Sequence, residues 1–288
     1  MEVIAQIILN AFIAGAIYSL IALGFNLLYS TTRFFDLSYG AIAAAGGYIV
    51  YYVYNVLNVN LYVAIVLGIL GAGTLGFLCE KLIYRQLRKR KASSAVLLIA
   101  SLGVLLVIQS LLAILFTSQF HVLARDLSAD RVFHILGGAI TEVQLCILAA
   151  AIVIMACLGA LLTFTRFGKA VQAIADDEEV AQVVGINTER TIGIVYFLGA
   201  AIAGAAGIAT GFDTGIMPTL GLAILLKGVI AAIVGGVGNV YGGVLGAFLL
   251  AAIENTGAWF FSAEWRDVIA FLVLIAFLLW RPRGLLPK

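Results

Sequence analysis

Residues 94–117, SAVLLIASLGVLLVIQSLLAILFT, run for twenty-four positions without a charge. A bilayer-spanning helix needs roughly 20 apolar residues to cross about 30 Å. Similar runs occupy roughly 4–29, 37–57, 61–83, 142–164, 191–211, 220–234, 241–260 and 267–280. Of 288 residues, 63% are hydrophobic and 11% charged, and the mean hydropathy is +1.12. Soluble domains hold about 45–50% apolar and about 25% charged residues. This composition excludes a soluble globular enzyme, a disordered chain and a nucleic-acid binder. Alternating ten-residue segments of the barrel kind are absent, so the spans read as helices, which pair their own backbone groups in lipid. The expected fold is an all-α integral membrane protein, a polytopic bundle of about 8–9 transmembrane helices forming one domain over 1–288. Span 220–234 is short, and Asp36, Ser38, Gly40, Gly46 and Gly47 crowd the start of span 37–57. One or two helices are therefore expected to be broken or re-entrant.

The net charge of +2 says little, but its distribution sets the sides. Basic residues near span ends stay cytoplasmic. With nine alternating spans, the connections 30–36, 84–93, 165–190, 235–240 and 281–288, with Lys81 beside them, hold thirteen Lys and Arg. The opposite side holds three, Arg125, Arg131 and Arg266, while Lys227 falls inside a span. The N-terminus is thus expected outside and the C-terminus in the cytoplasm. The first apolar run lacks a basic start and is too long for a cleavable leader, so it reads as a span. Cys79, Cys146 and Cys157 lie in apolar runs without C-x-x-C spacing and read as small packing residues. His121 and His134 form no metal-ligand cluster with them. Asn10, Asn26, Gln109, Ser110 and Asn255 are polar in-span residues of the kind that bond between helices. Gly207/Gly211 and Gly242/Gly246 have the spacing that lets helix backbones approach. The dense glycines of 235–246 read either as tight packing or as a break between half-spans.

Residues 165–190, TRFGKAVQAIADDEEVAQVVGINTER, form the one long cytoplasmic connection, and its apolar content argues against disorder. Residues 167–175 read as a short amphipathic helix. Asp176 or Asp177 suits the N-cap of a second, with Glu178 and Glu179 in its first turn. Gly185 suits the position that ends it. Two such helices need a surface to bury against: either this chain's own span ends and the membrane, or a cytoplasmic partner.

Gly168-Lys169-Ala170-Val171-Gln172-Ala173, the acidic break 176–179, and Ala181 to Gly185-Ile186-Asn187 resemble the coupling loop of the branched-chain amino acid (LIV-type) ABC importer permeases. Arg33-Phe34-Phe35-Asp36-Leu37-Ser38-Tyr39-Gly40 resembles that family's first broken-helix motif, with Tyr39 where the family usually has His. Lys227, Gly235-Gly236-Val237-Gly238-Asn239, Gly242-Gly243 and the closing Arg281-Pro282-Arg283-Gly284-Leu285 also match. The resemblance covers nearly the whole chain. It implies a non-catalytic permease subunit in a bacterial plasma membrane, importing branched-chain and other hydrophobic amino acids by alternating access. The implied partners are a second homologous permease, two cytoplasmic ATP-binding subunits and an extracytoplasmic solute-binding protein. This chain is expected to bind no cofactor and no metal, since ATP and Mg belong to the ATPases. The sequence has no G-x-x-x-x-G-K-[ST] phosphate loop, so its energy must arrive through contact. The expected ATPase-coupling residues are Arg166, Gly168, Ala170, Ala173, Asp177, Ala181, Gly185, Ile186 and Asn187.

Charges inside a membrane cost roughly 2.5–3.5 kcal/mol on insertion scales, so each needs a partner or a task. Asp36, Lys227 and Glu254 stand out. They are either structural, with Asp36 capping a helix and Lys227 paired to Glu254, or they line a route for a zwitterion. Broken helices offer free backbone groups to a carboxylate. The candidate path is therefore Asp36, Ser38, Tyr39, Gly40, Lys227, Gly235, Gly236, Gly238, Asn239, Gly242, Gly243 and Glu254. The external segment 118–137, with Arg125, Asp126, Asp130 and Arg131, reads as a solvated loop or a docking surface for the binding protein. The basic run Arg85–Lys91 reads as a topology signal beside anionic lipid. Rival readings are a related permease for urea, amides or other amino acids, and a stand-alone ion-coupled transporter using Asp36 and Glu254. A membrane enzyme has no nucleophile–base pair here to support it.

Overall fold

The computed structural model describes residues 2–123, 132–135, 137–281 and 284–286. Each expected span is helical. The helices are α1 (Glu2–Thr32), α2 (Ser38–Tyr51), α3 (Leu61–Cys79), α4 (Arg85–Lys89), α5 (Ser94–Phe116), α6 (Glu142–Phe164), α7 (Arg166–Asp176), α8 (Glu178–Val183), α9 (Thr188–Asp213), α10 (Leu220–Gly235), α11 (Val240–Phe260) and α12 (Arg266–Trp280). A π turn, Tyr52–Val56, extends α2, and another, Glu80–Tyr84, joins α3 to α4 without a break.

Starts follow the local chemistry. Asn60, Ser93, Thr141, Thr165, Asp177, Asn187 and Asn239 accept a backbone N–H from the first turn of α3, α5, α6, α7, α8, α9 and α11 respectively. Each side-chain oxygen satisfies a donor that has no partner within the helix. At α2, α10 and α12 the residues Leu37, Thr219 and Trp265 give no such bond. Among the helices formed by the long apolar runs these are also the shortest, with 14, 16 and 15 residues. At 1.5 Å per residue each covers only about 21–24 Å.

Six helical stretches are long and apolar enough to cross a membrane: 3–32, 61–89, 94–116, 142–164, 188–213 and 240–260. The protein is therefore a multi-pass helical membrane protein. In its most apolar window α9 is 72% buried, against 22% for α6 and 28% for α5. Thus α9 is an inner helix, packed with α1, α2 and α3. The outer faces of α5 and α6 keep Ile99, Val107, Ile114, Ile152 and Val153 exposed. In lipid such surface needs no cover, because helices associate there by close packing rather than by a hydrophobic drive. Small residues supply that packing: a Cβ on Gly207 would strike the Ala43 carbonyl, and one on Gly204 would press Ala72.

Contacts between connections fall into two sets. Arg33 meets Ala175, Arg85 and Lys89 meet Glu189, Asn26 meets Gly238 and Asn239, and Asn239 meets Leu286. In the other set Gln6 meets Ala139, Asn55 meets Leu123, His121 pairs with Ile216, and Gln144 meets Asp213.

The structure corrects three expectations. The fold is not purely helical: Val132–Ile135 (β1) and Gly138–Thr141 (β2) form an antiparallel hairpin, where β-branched and aromatic residues flank a glycine pair. Arg125, Asp126, Asp130 and Arg131 lie outside the described residues, as do Pro282, Arg283 and Lys288. The break in 235–246 is narrower than the glycine cluster, spanning only 236–239. Gly242, Gly243 and Gly246 continue α11 because they meet backbone on α10 or the side chain of Asn26. Asp36 does not cap from the position next to the helix; Leu37 intervenes and Asp36 bonds the Ser38 N–H.

Candidate functional site

The first group of flagged residues surrounds the start of α2. Chain 33–37 turns back into the bundle after α1. The Leu37 N–H donates to Ser101 Oγ at 3.0 Å, seven residues into α5, a depth of roughly 10 Å. Asp36 is buried, and one carboxylate oxygen accepts from the Ser38 N–H at 2.9 Å, Ser38 Oγ at 2.6 Å and Tyr84 Oη at 3.0 Å. Its other oxygen has no partner among the described residues. Tyr39 is fully enclosed, its hydroxyl donating to the Gly199 carbonyl at 3.1 Å. Gly40 lies against Gly221 at the start of α10, and a Cβ on either would collide with the other's carbonyl. The beginnings of two short helices therefore meet.

The second group joins α10 to α11. Gly236 and Gly238 adopt φ of +119° and +85°, a conformation that glycine enters without steric cost. Asn26 on α1 is buried and closes this turn from both sides, accepting from the Gly238 N–H and donating to the Asn239 carbonyl, each at 3.0 Å. The returning tail finishes the end of α10: the Leu285 and Leu286 N–H groups donate to the Val234 and Gly235 carbonyls at 2.9 and 3.0 Å. Those carbonyls would otherwise be orphans of a helix end. Gly235 and Gly242 touch backbone to backbone.

Lys227 and Glu254 do pair, at 3.3 Å. Lys227 also meets Asp267 at 3.2 Å, and the Tyr18 hydroxyl donates to Glu254 at 2.8 Å. Four helices, α1, α10, α11 and α12, thus share one charged cluster. Glu254 is fully buried, whereas Lys227 keeps a sixth of its side chain exposed.

The loop residues form the fourth group. Thr165 Oγ1 accepts the Gly168 N–H at 3.1 Å and turns the chain sharply out of α6. Gly168 sits so close to the Leu162 carbonyl that a Cβ would collide. Val171, Ile174, Ala175 and Ala181 are buried, Ala170, Ala173 and Ile186 half-buried, and Arg166 exposed. Asp177 starts α8, accepting from Glu179 and Val180 at 2.9 and 3.1 Å. Gly185 at φ +88° ends it; its N–H donates to Gln182 and the Ile186 N–H to Ala181, each at 3.0 Å. That pair of bonds is the Schellman closure. Asn187 then starts α9. Beyond these fixed points the apolar side chains of Phe164, Val180, Val183 and Val184 stand exposed, Val183 at 87%.

Several participants carried little local signal. Tyr84, Ser101, Arg33 and Asp267 matter through partners 40 to 142 positions away in the chain; their polarity beside an apolar run hinted at them but did not name the partner. A cavity of about 500 Å³ near Arg85 and Glu189 is lined by Phe77, Lys81, Asn187 and Arg190 among others, and by none of the path candidates.

The chain matches the family described as branched-chain amino acid transport system / permease component over residues 7–278. The high-affinity branched-chain amino acid transport system permease protein BraD of Pseudomonas aeruginosa is 28% identical, covering 98% of this chain and 95% of the relative. LivH of Escherichia coli K12, described in the same words, is 28% identical with the same coverage. Among solved structures, PsaBC from Streptococcus pneumoniae in complex with Fab has a TM-score of 0.54 at 13% identity, over 95% of this chain and 91% of that one. This last likeness is one of fold alone.

Proposed function

We infer the function from one premise: this chain belongs to the permease-component family of branched-chain amino acid transport systems. It is the membrane-spanning permease subunit of an ATP-driven importer, and its cargo is branched-chain and similar hydrophobic amino acids. The observation that carries this reading is the match over residues 7–278 together with a cytoplasmic loop built like a docking element. Hydrolysis belongs to partner subunits.

The finer reading is ours. Nine helical passes run from an external N-terminus to a cytoplasmic C-terminus in a bacterial inner membrane. The two sets of connection contacts support this, because one set gathers the connections rich in Lys and Arg. The complex adds a second related permease, two ATP-binding subunits and an external solute-binding protein. The ATPases grip α7 and α8, whose buried side holds the loop to α6 and α9 while Val180, Val183 and Val184 face outward. Asp36, Ser38, Tyr39, Gly40, Lys227, Glu254 and the glycine turn 235–243 border the path. Most of them are covered here, so the path opens only when the starts of α2 and α10 part. Lys227 and Glu254 hold the α10–α12 side together while that happens.

Val183→Glu tests the docking face cleanly, since Val183 touches little of its own chain. The substituted permease should stay folded but lose co-purifying ATPase and labelled leucine uptake in the full complex. Intact assembly and intact uptake would sink the docking assignment. Running leucine against urea in the same vesicles checks the cargo.

A further inference from the structure

Arg33 ends α1 in the left-handed region, φ +56°, with its N–H on the Tyr29 carbonyl at 2.9 Å. A branched or long side chain there is strained, and glycine would fit the backbone better. What the arginine adds is its guanidinium, which donates to the carbonyl of Ala175, in the last turn of α7. That carbonyl is one of the helix-end acceptors left without an intrahelical partner. Three residues further on lies Asp36, held by Ser38 and Tyr84 at the start of α2.

A second connection leaves the same loop from its other end. Glu189, in the first turn of α9, pairs with Arg85 and with Lys89, the latter at 3.1 Å. Both cations sit on α4, which continues without interruption from the π turn that carries Tyr84. Tyr84 Oη then reaches Asp36 at 3.0 Å and Ser38 Oγ at 2.8 Å. Segment 33–38 is thus held from both sides by groups tied to the loop that α7 and α8 form. Inserted turns of the π kind recur at functional sites, and a chain of discrete contacts is the physical means by which one site biases another.

We propose that Arg33 is a positioning residue that transmits movement of the α7–α8 loop to the start of α2, coupling ATP hydrolysis to opening of the path. The proposal rests on the importer reading above. When the ATPases draw α7 inward, Arg33 carries the Ala175 carbonyl's displacement to Asp36, and Tyr84 braces the same point from α4. The start of α2 then shifts against Gly221 of α10.

The test uses the full complex in liposomes, reading labelled leucine uptake and phosphate release from the same vesicles. Arg33→Gly is the decisive variant, because it relieves the left-handed strain while deleting the guanidinium. Phosphate release should stay within about twofold of the parent while leucine moved per ATP falls at least about fivefold, the low end of usual coupling between sites. Arg33→Lys, which keeps a donor, should recover more than half of the lost ratio. An unchanged ratio in Arg33→Gly overturns the proposal and leaves the importer reading standing. A parallel loss of hydrolysis and uptake at constant ratio also overturns it, since a merely structural residue would behave so. Absence of ATP-dependent leucine uptake by the unaltered complex overturns both.

Discussion

The connections 33–37 and 236–239 do the same topological job, handing the chain from one helix to the next, yet they satisfy their backbone by opposite means. At 236–239 the solution is largely main-chain geometry: two glycines with positive φ, one asparagine from α1, and a tail whose N–H groups cover the end of α10. At 33–37 the solution is side chains gathered from far away, with Ser101 from α5, Tyr84 from the π turn and a buried carboxylate at the centre. A turn shaped by two glycines with positive φ and held by one outside side chain keeps one shape. A turn closed by distant side chains moves whenever those elements move, and here they lead to the loop formed by α7 and α8. On the coupling proposed above, 236–239 holds and 33–37 switches.

The largest separation between the two should come from Asp36→Ala. It leaves the Ser38 N–H and one of the two hydroxyls, Ser38 or Tyr84, without an acceptor in a buried site, because those hydroxyls can still bond each other, a cost of roughly 3 kcal/mol. Detergent thermal unfolding should show the loss, and leucine moved per ATP should fall as well. At the other connection Asn26→Leu leaves the Gly238 N–H and Asn239 carbonyl unpaired, about 2 kcal/mol. Its thermal midpoint should drop while the uptake-per-ATP ratio of the surviving protein holds. A changed ratio there would erase the contrast. The smallest effect belongs to truncation after Arg281. Two carbonyls at the end of α10 pass to water, costing about 1 kcal/mol, and hydrogen exchange should quicken in the last turn of α10 without loss of uptake.

Much of this was legible from residues a few positions apart. The length of an apolar run places a helix, so α5 could be read directly from 94–117, and a polar residue ahead of a helix places its start, so α8 could be read after Asp177. Gly185 was readable as a stop because only its own backbone decides the matter. Apolar content alone places the ends less well, however. The helices α1 and α9 run past the apolar stretches 4–29 and 191–211 to Glu2–Thr32 and Thr188–Asp213, because polar residues at their ends continue the helix. The hairpin 132–141 was missed because four-residue strands give too little alternation to stand out from a loop. The partners were hidden for a different reason: Tyr84 lies 48 residues from Asp36, Ala175 lies 142 from Arg33, and Asn239 lies 213 from Asn26. Nothing in a single sequence states which distant segments will become neighbours. The Lys227–Glu254 pair was the exception, since two opposite charges stranded in apolar surroundings have few other options.

Flux assays on one set of vesicles address the root of this reading most directly. The chain is reconstituted once alone, under imposed proton and sodium gradients, and once with the second permease, the ATP-binding subunits and the solute receptor, with ATP supplied on the cytoplasmic side. Alone it should leave labelled leucine at its equilibrium level under either gradient, and with its partners it should concentrate leucine only while ATP lasts. Concentrative uptake by the isolated chain on an ion gradient would contradict the assignment outright.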